Sequence, residues 1–348
     1  DAPEGFRAVS DPGIEPWAAR VGRLDQRVVA AVVSALSSLL QRLPDRILHR
    51  LAAAAGIVLY LAWPGRRALV RANLRQICTW LAASPRATPP VRAAATNTLA
   101  LERLVVTAFG HYLRYYLEVA LVPAYTPAYL AERLRIESPD LIPEALPGRP
   151  ADGVGRIFIG LHLGALELPG LLAVRRAGVP ITAPMEAIRN APLQSYLVRR
   201  RGSIGVTIIP IRGARGRLLR ALGRGEIAGL VADRDLSGNG VAVTLFGAPT
   251  RLPAGPALLA IESGARAYVA AARRTGPGEY ALRALTLATP GTGTRRERMS
   301  TFVEAQARAF ESLIADAPEQ WWTIFFPIWP HLGRHPGSKA RRRAARPR

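Results

Sequence analysis

A change of texture near residue 135 constrains the fold more than any other feature of this 348-residue sequence. Before that point, apolar residues recur with helical spacing in stretches that prolines interrupt. Beyond it, short runs rich in β-branched residues alternate with helical patterns, which is typical of a sheet flanked by helices. The runs are 156–161, 180–184, 206–210, 227–231, 241–245 and 266–272. We therefore predict an α/β fold with a mixed β-sheet core.

This change of texture also predicts the organisation of the chain. Residues 1–134 form a helical N-terminal region, residues 135–333 form the α/β core, and residues 334–348 form a basic tail that we expect to be disordered. The N-terminal region contains two apolar runs, 28–40 and 51–63. Each is shorter than the roughly 20 residues that span a bilayer, so we interpret them as helices that pack or lie in an interface.

The charge of the chain is unusual. Forty-seven lysines and arginines oppose 25 acidic residues, which gives a formal net charge of +22, and Lys339 is the single lysine. Such an excess favours a polyanionic partner: nucleic acid, an anionic membrane or a phosphate-bearing ligand. The sequence contains no zinc-finger spacing, no RNA-binding aromatic motif and no clear helix-turn-helix pattern. We therefore predict an anionic membrane surface as a partner and no nucleic acid.

Arginines flank the two apolar runs, as expected of a protein that lies on a membrane surface. They are Arg42, Arg46, Arg50, Arg66, Arg67, Arg71 and Arg75. A buried helical hairpin, whose arginines extend their charged ends to water, is an equally compatible alternative.

The stretch GLHLGALE, residues 160–167, indicates chemistry. His162 follows a predicted strand, and Glu167 begins the next helical pattern, with Gly164 available for the turn between them. An imidazole that accepts a proton and a carboxylate that orients it form a general-base pair. A histidine and a glutamate at this spacing also occur by chance, and a structural histidine is then the alternative.

Several stretches, in the same order along the chain, carry a family resemblance. They are His162 to Glu167, the segments 187–193 and 199–205, the segment ADRDLSGNGVAVTLFGAPTRLPAGPALLA at 232–260, and PEQWWTIFFPIWP at 318–330. Together they resemble the lysophospholipid acyltransferase superfamily, in the branch of the lipid A late acyltransferases and the phosphatidylinositol mannoside acyltransferases. The resemblance implies a glycerolipid acyltransferase-like fold with a membrane-associating helical N-terminal region.

The resemblance also implies a reaction, O-acyl transfer from acyl-CoA or acyl carrier protein to a hydroxyl of a membrane glycolipid. His162 would be the general base and Glu167 its orienting carboxylate, with neither a cofactor nor a metal. Arg201, or a neighbour in its run, would hold a phosphate of the donor or acceptor. The residues expected to bind substrate are Glu186, Arg200, Arg201, Asp233, Arg234 and Asp235. Cys78, the single cysteine, is expected to be a buried apolar side chain.

The acceptor and the role of the chain leave alternatives open. Ala165 and Leu166 stand where the family usually has Asn-Trp, so the acceptor remains either a phosphatidylinositol mannoside or a lipid A precursor. A non-catalytic basic lipid-binding module and a lysophospholipid acyltransferase are the other functions considered. In the enzyme interpretation, the protein is expected at the cytoplasmic face of the bacterial inner membrane, as a peripheral or monotopic protein.

Overall fold

The computed structural model describes residues 28, 37, 39–146, 153–187, 191–203, 205–235 and 238–332. The predicted tail and most of the apolar run 28–40 lie outside these residues.

Helices make up most of the region before residue 134. They are α1 (Asp45–Ala62), α2 (Pro64–Leu81), α3 (Pro89–Thr96), α4 (Thr98–Leu121) and α5 (Pro127–Arg133). Proline begins α2, α3 and α5, where the missing N–H would have no partner within the helix. Asn97 caps α4, since its side chain accepts hydrogen bonds from the N–H groups of Leu99 and Ala100.

A seven-stranded, mostly parallel sheet forms the centre of the molecule. Its strands are β1 (Leu134–Ile136), β2 (Arg156–Gly160), β3 (Ile181–Met185), β4 (Val206–Pro210), β5 (Ile227–Val231), β8 (Arg266–Gly276) and β9 (Glu279–Leu287). They lie in the order β1-β9-β8-β2-β5-β3-β4, and only the β8–β9 pair is antiparallel among these described strands. A separate hairpin contains β6 (Val241–Leu245) and β7 (Ala248–Leu252).

Further helices follow the strands. They are α6 (Ile142–Ala145), α7 (Glu167–Ala177), α8 (Ala191–Gly202), α9 (Ala214–Gly223), α10 (Gly255–Ser263) and α11 (Arg295–Ile314). Two 3₁₀ segments, Pro318–Gln320 and Trp322–Phe325, come after α11. Buried side chains of α2, α4, α11 and these segments pack with the sheet in one hydrophobic core.

The sheet places several loop starts at one edge. Strands β2, β3, β4, β5 and β8 run parallel, so their carboxyl ends point the same way. Gly160, the last residue of β2, is in register with Val231, the last residue of β5. Ligand and catalytic sites in parallel sheets form at this edge, and the loops after β2 and β5 therefore begin side by side there.

The structure confirms the predicted class, a mixed α/β sheet flanked by helices. The bounds 206–210, 227–231 and 241–245 coincide with β4, β5 and β6. The strands β1, β7 and β9 were not predicted. No single described helix is long and apolar enough to cross a bilayer, and α1 and α2 reach that length only as a pair bent by 106°.

Candidate active site

Two strand ends bring His162 and Asp233 together. Each residue lies two positions beyond the end of its strand, His162 after Gly160 and Asp233 after Val231. The Nδ1 atom of His162 lies 2.7 Å from Oδ1 of Asp233, and the His162 backbone N–H donates to Oδ2 at 2.9 Å. Since Nδ1 faces a carboxylate, it carries the proton of the neutral imidazole, and Nε2 is left to accept one. Nε2 has no hydrogen-bond partner among the described residues.

The Asp233 carboxylate is held as an anion. Its side chain is fully buried, and Oδ2 also accepts hydrogen bonds from the Trp321 indole N–H at 2.8 Å and from the Thr323 hydroxyl at 2.7 Å. Burial alone would raise the pKa of this carboxyl. The positive charge that His162 carries when it is protonated, together with the hydrogen bonds from His162, Thr323 and Trp321, outweighs burial, so the pKa of Asp233 lies well below its usual range.

Aromatic side chains enclose the imidazole. The ring centroid of Trp322 lies 5.0 Å from that of His162, and the ring of Tyr115, on α4, lies at 6.3 Å. The Trp322 backbone N–H also donates to the His162 carbonyl at 2.7 Å. Next to Asp233, the Arg234 guanidinium lies over the ring of Phe326 at 3.8 Å. The His162 side chain remains 20% exposed, which leaves an approach for a substrate.

Glu167 does not take the position expected of it. Its Oε1 accepts hydrogen bonds from Nη2 of Arg201 at 2.6 Å and from Nε at 3.1 Å, across the gap between α7 and α8. Another nitrogen of the guanidinium contacts the sulfur of Met185. The carboxylate on Nδ1 of His162 is therefore that of Asp233, and the expected His162–Glu167 hydrogen bond is corrected. The negative charge of Glu167 raises the pKa of Arg201 further.

The predicted contact between Arg201 and a phosphate needs a free guanidinium. In the structure, the Arg201 guanidinium is instead paired with Glu167. Its neighbour Arg200 lies on α8, and its side chain is outside the description. Glu186 directly follows β3, so it lies at the same edge of the sheet as His162.

Asp235 has a structural position. We expected Asp235, like Asp233, to bind substrate, but β5 ends at Val231 and Asp235 lies in the loop beyond it. The Asp235 side chain instead accepts hydrogen bonds from the backbone N–H groups of Gly238 and Gly240, at 3.0 and 2.7 Å. It therefore shapes the turn that leads into β6.

The loop after β2, residues 161–166, carries His162 and is called the catalytic loop. A cavity lies between the sheet and α7, and part of this loop lines it. Its volume is about 140 Å³. Apolar side chains and backbone line most of it, including Phe158, Gly160, Ile181, Ile208, Gly229 and Ala271. Glu167 and Arg201 supply the charged part of the lining. An apolar cavity with a few polar groups is the usual form of a small-molecule site.

Comparison with known proteins gives this geometry a context. The family model of the bacterial lipid A biosynthesis acyltransferases matches residues 23–329. The chain belongs to that family. It is therefore an acyltransferase of the lipid A and phosphatidylinositol mannoside type, and the family resemblance seen in the sequence is confirmed.

Two relatives carry a more specific name. The phosphatidylinositol mannoside acyltransferase of Mycolicibacterium smegmatis is 30% identical over 230 residues, which are 65% of this chain and 72% of the relative. The phosphatidylinositol mannoside acyltransferase of Mycobacterium tuberculosis strain CDC 1551 is 33% identical over 168 residues, which are 47% of this chain and 52% of the relative. The chain thus covers about half of the second relative.

Trp321 and Thr323 belong to this acyltransferase's site, although the sequence analysis assigned them no role. The segment PEQWW was noted only for its resemblance, and nothing in its pattern places an indole and a hydroxyl on Asp233. Among the described residues, no group of three or more His, Cys, Asp or Glu side chains lies close enough together to hold a metal ion. Cys78 is buried on α2, as predicted, and burial raises the pKa of its thiol to about 12.

Proposed function

We propose that this acyltransferase moves a fatty acyl chain from a thioester, on coenzyme A or acyl carrier protein, to a hydroxyl of a phosphatidylinositol mannoside. The hydrogen bond between His162 and Asp233 is the observation that supports the mechanism. Nε2 of His162 takes the proton of the acceptor hydroxyl while its oxygen attacks the thioester carbonyl carbon. The tetrahedral intermediate then releases the thiolate, which recovers the proton from the imidazolium. Asp233 holds the tautomer and stabilises the imidazolium.

The acceptor in this proposal follows from the named relatives. Both are phosphatidylinositol mannoside acyltransferases, whereas the family model is named for lipid A biosynthesis. A lipid A precursor is therefore the second acceptor to test. The intact dyad argues against the non-catalytic module, since a protein that only binds lipid needs no buried carboxylate on its histidine.

The cavity is the proposed site of the donor's acyl chain. Leu161 and Leu163, the residues on either side of His162 in the sequence, line it. The proposal requires that an acyl chain in this cavity holds the thioester carbonyl within reach of Nε2. Gly229 lies in its wall, and an added Cβ there would meet Ile181 and Ala183 only at ordinary contact distances, 3.6 and 3.7 Å. Gly229→Val should therefore shift preference to shorter acyl donors. Gly223→Ala, an exposed glycine at the end of α9, is the matched control.

We also propose that the apolar face of α1 docks on an anionic membrane. That face is made of Ile47, Leu51, Val58 and Leu61, which recur at helical spacing, and all four are exposed. The helix is held in place from its other side, where Gly56 lies so close to Gly110 of α4 that an added Cβ would be 2.5 Å from the Gly110 nitrogen.

The flanking arginines divide into two groups. Arg66 and Arg67 lie over the rings of Trp63 and Tyr60, and Arg71 pairs with Glu102. The others are exposed and make no ion pair among the described residues: Arg42, Arg46, Arg50 and Arg75. These four are the charges available to an anionic lipid surface, each worth on the order of 1 kcal/mol. Thioester donors are cytoplasmic, so the cytoplasmic face of the inner membrane is the proposed location.

An acyl-transfer assay tests the proposed function. Purified protein is incubated separately with labelled acyl-CoA and acyl carrier protein, in vesicles that contain a phosphatidylinositol mannoside, a lipid A precursor or a lysophospholipid. Mass spectrometry of the lipids should show an added acyl chain on the mannoside, and none with His162→Ala. Transfer to the lysophospholipid alone would make the protein a lysophospholipid acyltransferase, and free fatty acid with every acceptor would make it a hydrolase.

A further inference from the structure

A buried ion network connects the helical region to the catalytic loop. Arg274, near the end of β8, is 7% exposed, and both oxygens of Glu118 on α4 accept its hydrogen bonds. The two distances are 2.8 and 2.6 Å, in the forked geometry that a guanidinium and a carboxylate favour. Glu118 also accepts hydrogen bonds from Arg114 and from the Tyr280 hydroxyl, each at 3.2 Å.

Arg274 reaches the catalytic loop directly. Its Nη2 donates to the carbonyl of Gly164 at 2.9 Å, two residues after His162. The Arg274 backbone N–H donates to the Gln320 side chain at 2.8 Å, and the Gln320 amide donates back to the Arg274 carbonyl. The Gly164 N–H in turn donates to the Gln320 carbonyl. Both backbone polar groups of Gly164 are therefore held through Arg274 and its partner Gln320.

The loop has little freedom at this point. Gly164 has a φ of 59°, and an added Cβ would lie 2.1 Å from the Ala272 carbonyl oxygen. The Ala165 N–H donates to that same carbonyl at 2.8 Å. The turn after His162 is thus packed against the backbone of β8. Arg274 is the side chain of β8 that fixes the Gly164 carbonyl in this turn.

We propose that Arg274 is a positioning residue for acyl transfer: held by Glu118, it fixes the Gly164 carbonyl and so sets the place of His162. The proposal rests on the proposed function, because it concerns the same base. A displacement of about 1 Å at a reacting group costs up to about a hundredfold in turnover, so a side chain that touches no substrate can carry a large effect.

Two substitutions of Arg274 disturb the network to different extents. In Arg274→Gln, Oε1 of Glu118 keeps its hydrogen bonds from Arg114 and Tyr280, whereas Oε2 loses the one from Arg274, so a lower melting temperature is expected. Arg274→Lys keeps the charge, but an ammonium cannot reach both Glu118 oxygens and the Gly164 carbonyl in the guanidinium geometry. The control is Arg273→Gln on the same strand, whose guanidinium pairs with Glu137 rather than with the catalytic loop.

Steady-state kinetics of the full chain test the proposal. Arg274→Gln and Arg274→Lys should lower kcat roughly tenfold to a hundredfold, while KM for donor and acceptor stays within about twofold. Arg273→Gln should keep the kcat of the unmodified chain, even where its melting temperature falls. If Arg274 only helped to bind substrate, its substitution would raise KM and leave kcat unchanged. If it only stabilised the fold, the apparent kcat of Arg274→Gln and of Arg273→Gln would fall in proportion to the loss of folded protein.

A second measurement needs no substrate. Diethyl pyrocarbonate modifies accessible imidazoles, and peptide mass spectrometry gives the rate at His162 itself. We expect that rate to rise at least about threefold in Arg274→Gln and Arg274→Lys, and to stay unchanged in Arg273→Gln. If the chain without substitutions transfers no acyl group, the proposed function fails. The rate of His162 modification still decides whether Arg274 holds the loop.

Three results would overturn the proposal. The first is a kcat for Arg274→Lys equal to that of the unmodified chain, since charge alone would then suffice. The second is an equal loss of kcat in Arg273→Gln. The third is an unchanged rate of modification at His162. If Arg274→Gln does not melt cooperatively, Arg274→Lys and the control decide the outcome.

Discussion

The helical region and the α/β core depart from ordinary burial in opposite directions. Helix α1 exposes Leu51, Val58 and Leu61, each at least half exposed, although these are side chains that normally lie inside. The edge of the sheet buries Asp233 completely and Arg274 almost completely, although charged groups normally lie outside. We propose that each exception serves function rather than stability: in the core a reaction that needs a fixed anion, and for α1 contact with a bilayer.

The buried charge of Asp233 is compensated by contacts within the protein, whereas the apolar face of α1 stays exposed among the described residues. Three side chains or backbone groups donate to Oδ2 of Asp233, and His162 contacts Oδ1. Leu51, Val58 and Leu61 of α1 each remain at least half exposed. The site around Asp233 should therefore be sensitive to the loss of a single hydrogen-bonding atom. The face of α1 should instead respond to the total apolar area that is removed.

Removing the charge of Asp233 should give the largest effect. Asp233→Asn keeps the shape but cannot hold the tautomer or stabilise the imidazolium, so turnover should fall roughly two to four orders of magnitude. Glu167→Gln, which leaves the Asp233–His162 hydrogen bond intact, should keep more activity. Acyl transfer by both variants, with circular dichroism melts as the folding control, is the measurement. Equal activity of Asp233→Asn and the unmodified chain would remove the dyad from the mechanism.

Polar substitutions on the exposed face of α1 should come next. Leu51→Gln combined with Val58→Gln removes two apolar side chains from the proposed bilayer contact, and binding to anionic vesicles should weaken roughly tenfold or more. Leu99→Gln is the control, because Leu99, at the start of α4, is even more exposed than Leu51 and Val58. Vesicle flotation over a range of salt concentrations measures the effect. Unchanged binding in the double variant, or the same loss in Leu99→Gln, would contradict the proposed contact between α1 and the membrane.

The strands of the sheet show how much of the fold the sequence could predict. The bounds of β4, β5 and β6 were predicted correctly because each is a short apolar run that begins directly after a glycine or one residue beyond it. The strand β9 was missed because two alanines and Arg283 dilute its alternation, although Gly276 and Gly278 mark a hairpin turn before it. The strand β7 was missed because Pro249 lies within it and Pro253 follows it.

The dyad was missed for a different reason. Asp233 was selected as a substrate-binding residue, and only the neighbourhood of β2 and β5 makes it the partner of His162. The order of strands in a sheet is a property of the whole fold, so no local pattern pairs residues 71 positions apart. One signal was available: two buried strands are each followed, two residues later, by an ionisable side chain. Parallel neighbours would bring those side chains together.

Thr323 offers a finer test of the compensated region. Thr323→Val removes one of the donors to Oδ2 of Asp233 while keeping the shape. The carboxylate then becomes more basic and holds a proton on the dyad more strongly, so the acidic limb of the pH–rate profile should move to higher pH. The plateau should fall less than about tenfold. Thr250→Val is the control, since its hydroxyl donates to the Ile328 carbonyl instead. A profile identical to that of the unmodified chain would contradict the proposed tuning.

The smallest effect should come from a partly buried acid, Glu319, that the dyad does not use. Burial raises the pKa of the Glu319 carboxyl to about 7, from an ordinary value of 4.5. A group whose pKa is higher in the folded state stabilises the fold when protonated, so its contribution is full below pH 4.5 and decreases as the pH rises towards 7. Glu319→Gln removes this dependence.

The melting temperature of Glu319→Gln relative to the unmodified chain should therefore be highest at pH 8 and decline towards pH 5. Glu304→Gln, on the exposed side of α11, is the control and should show no such trend. Differential scanning calorimetry across that range measures both variants. A constant difference between Glu319→Gln and the unmodified chain would mean that this carboxyl titrates alike in the folded and unfolded chain.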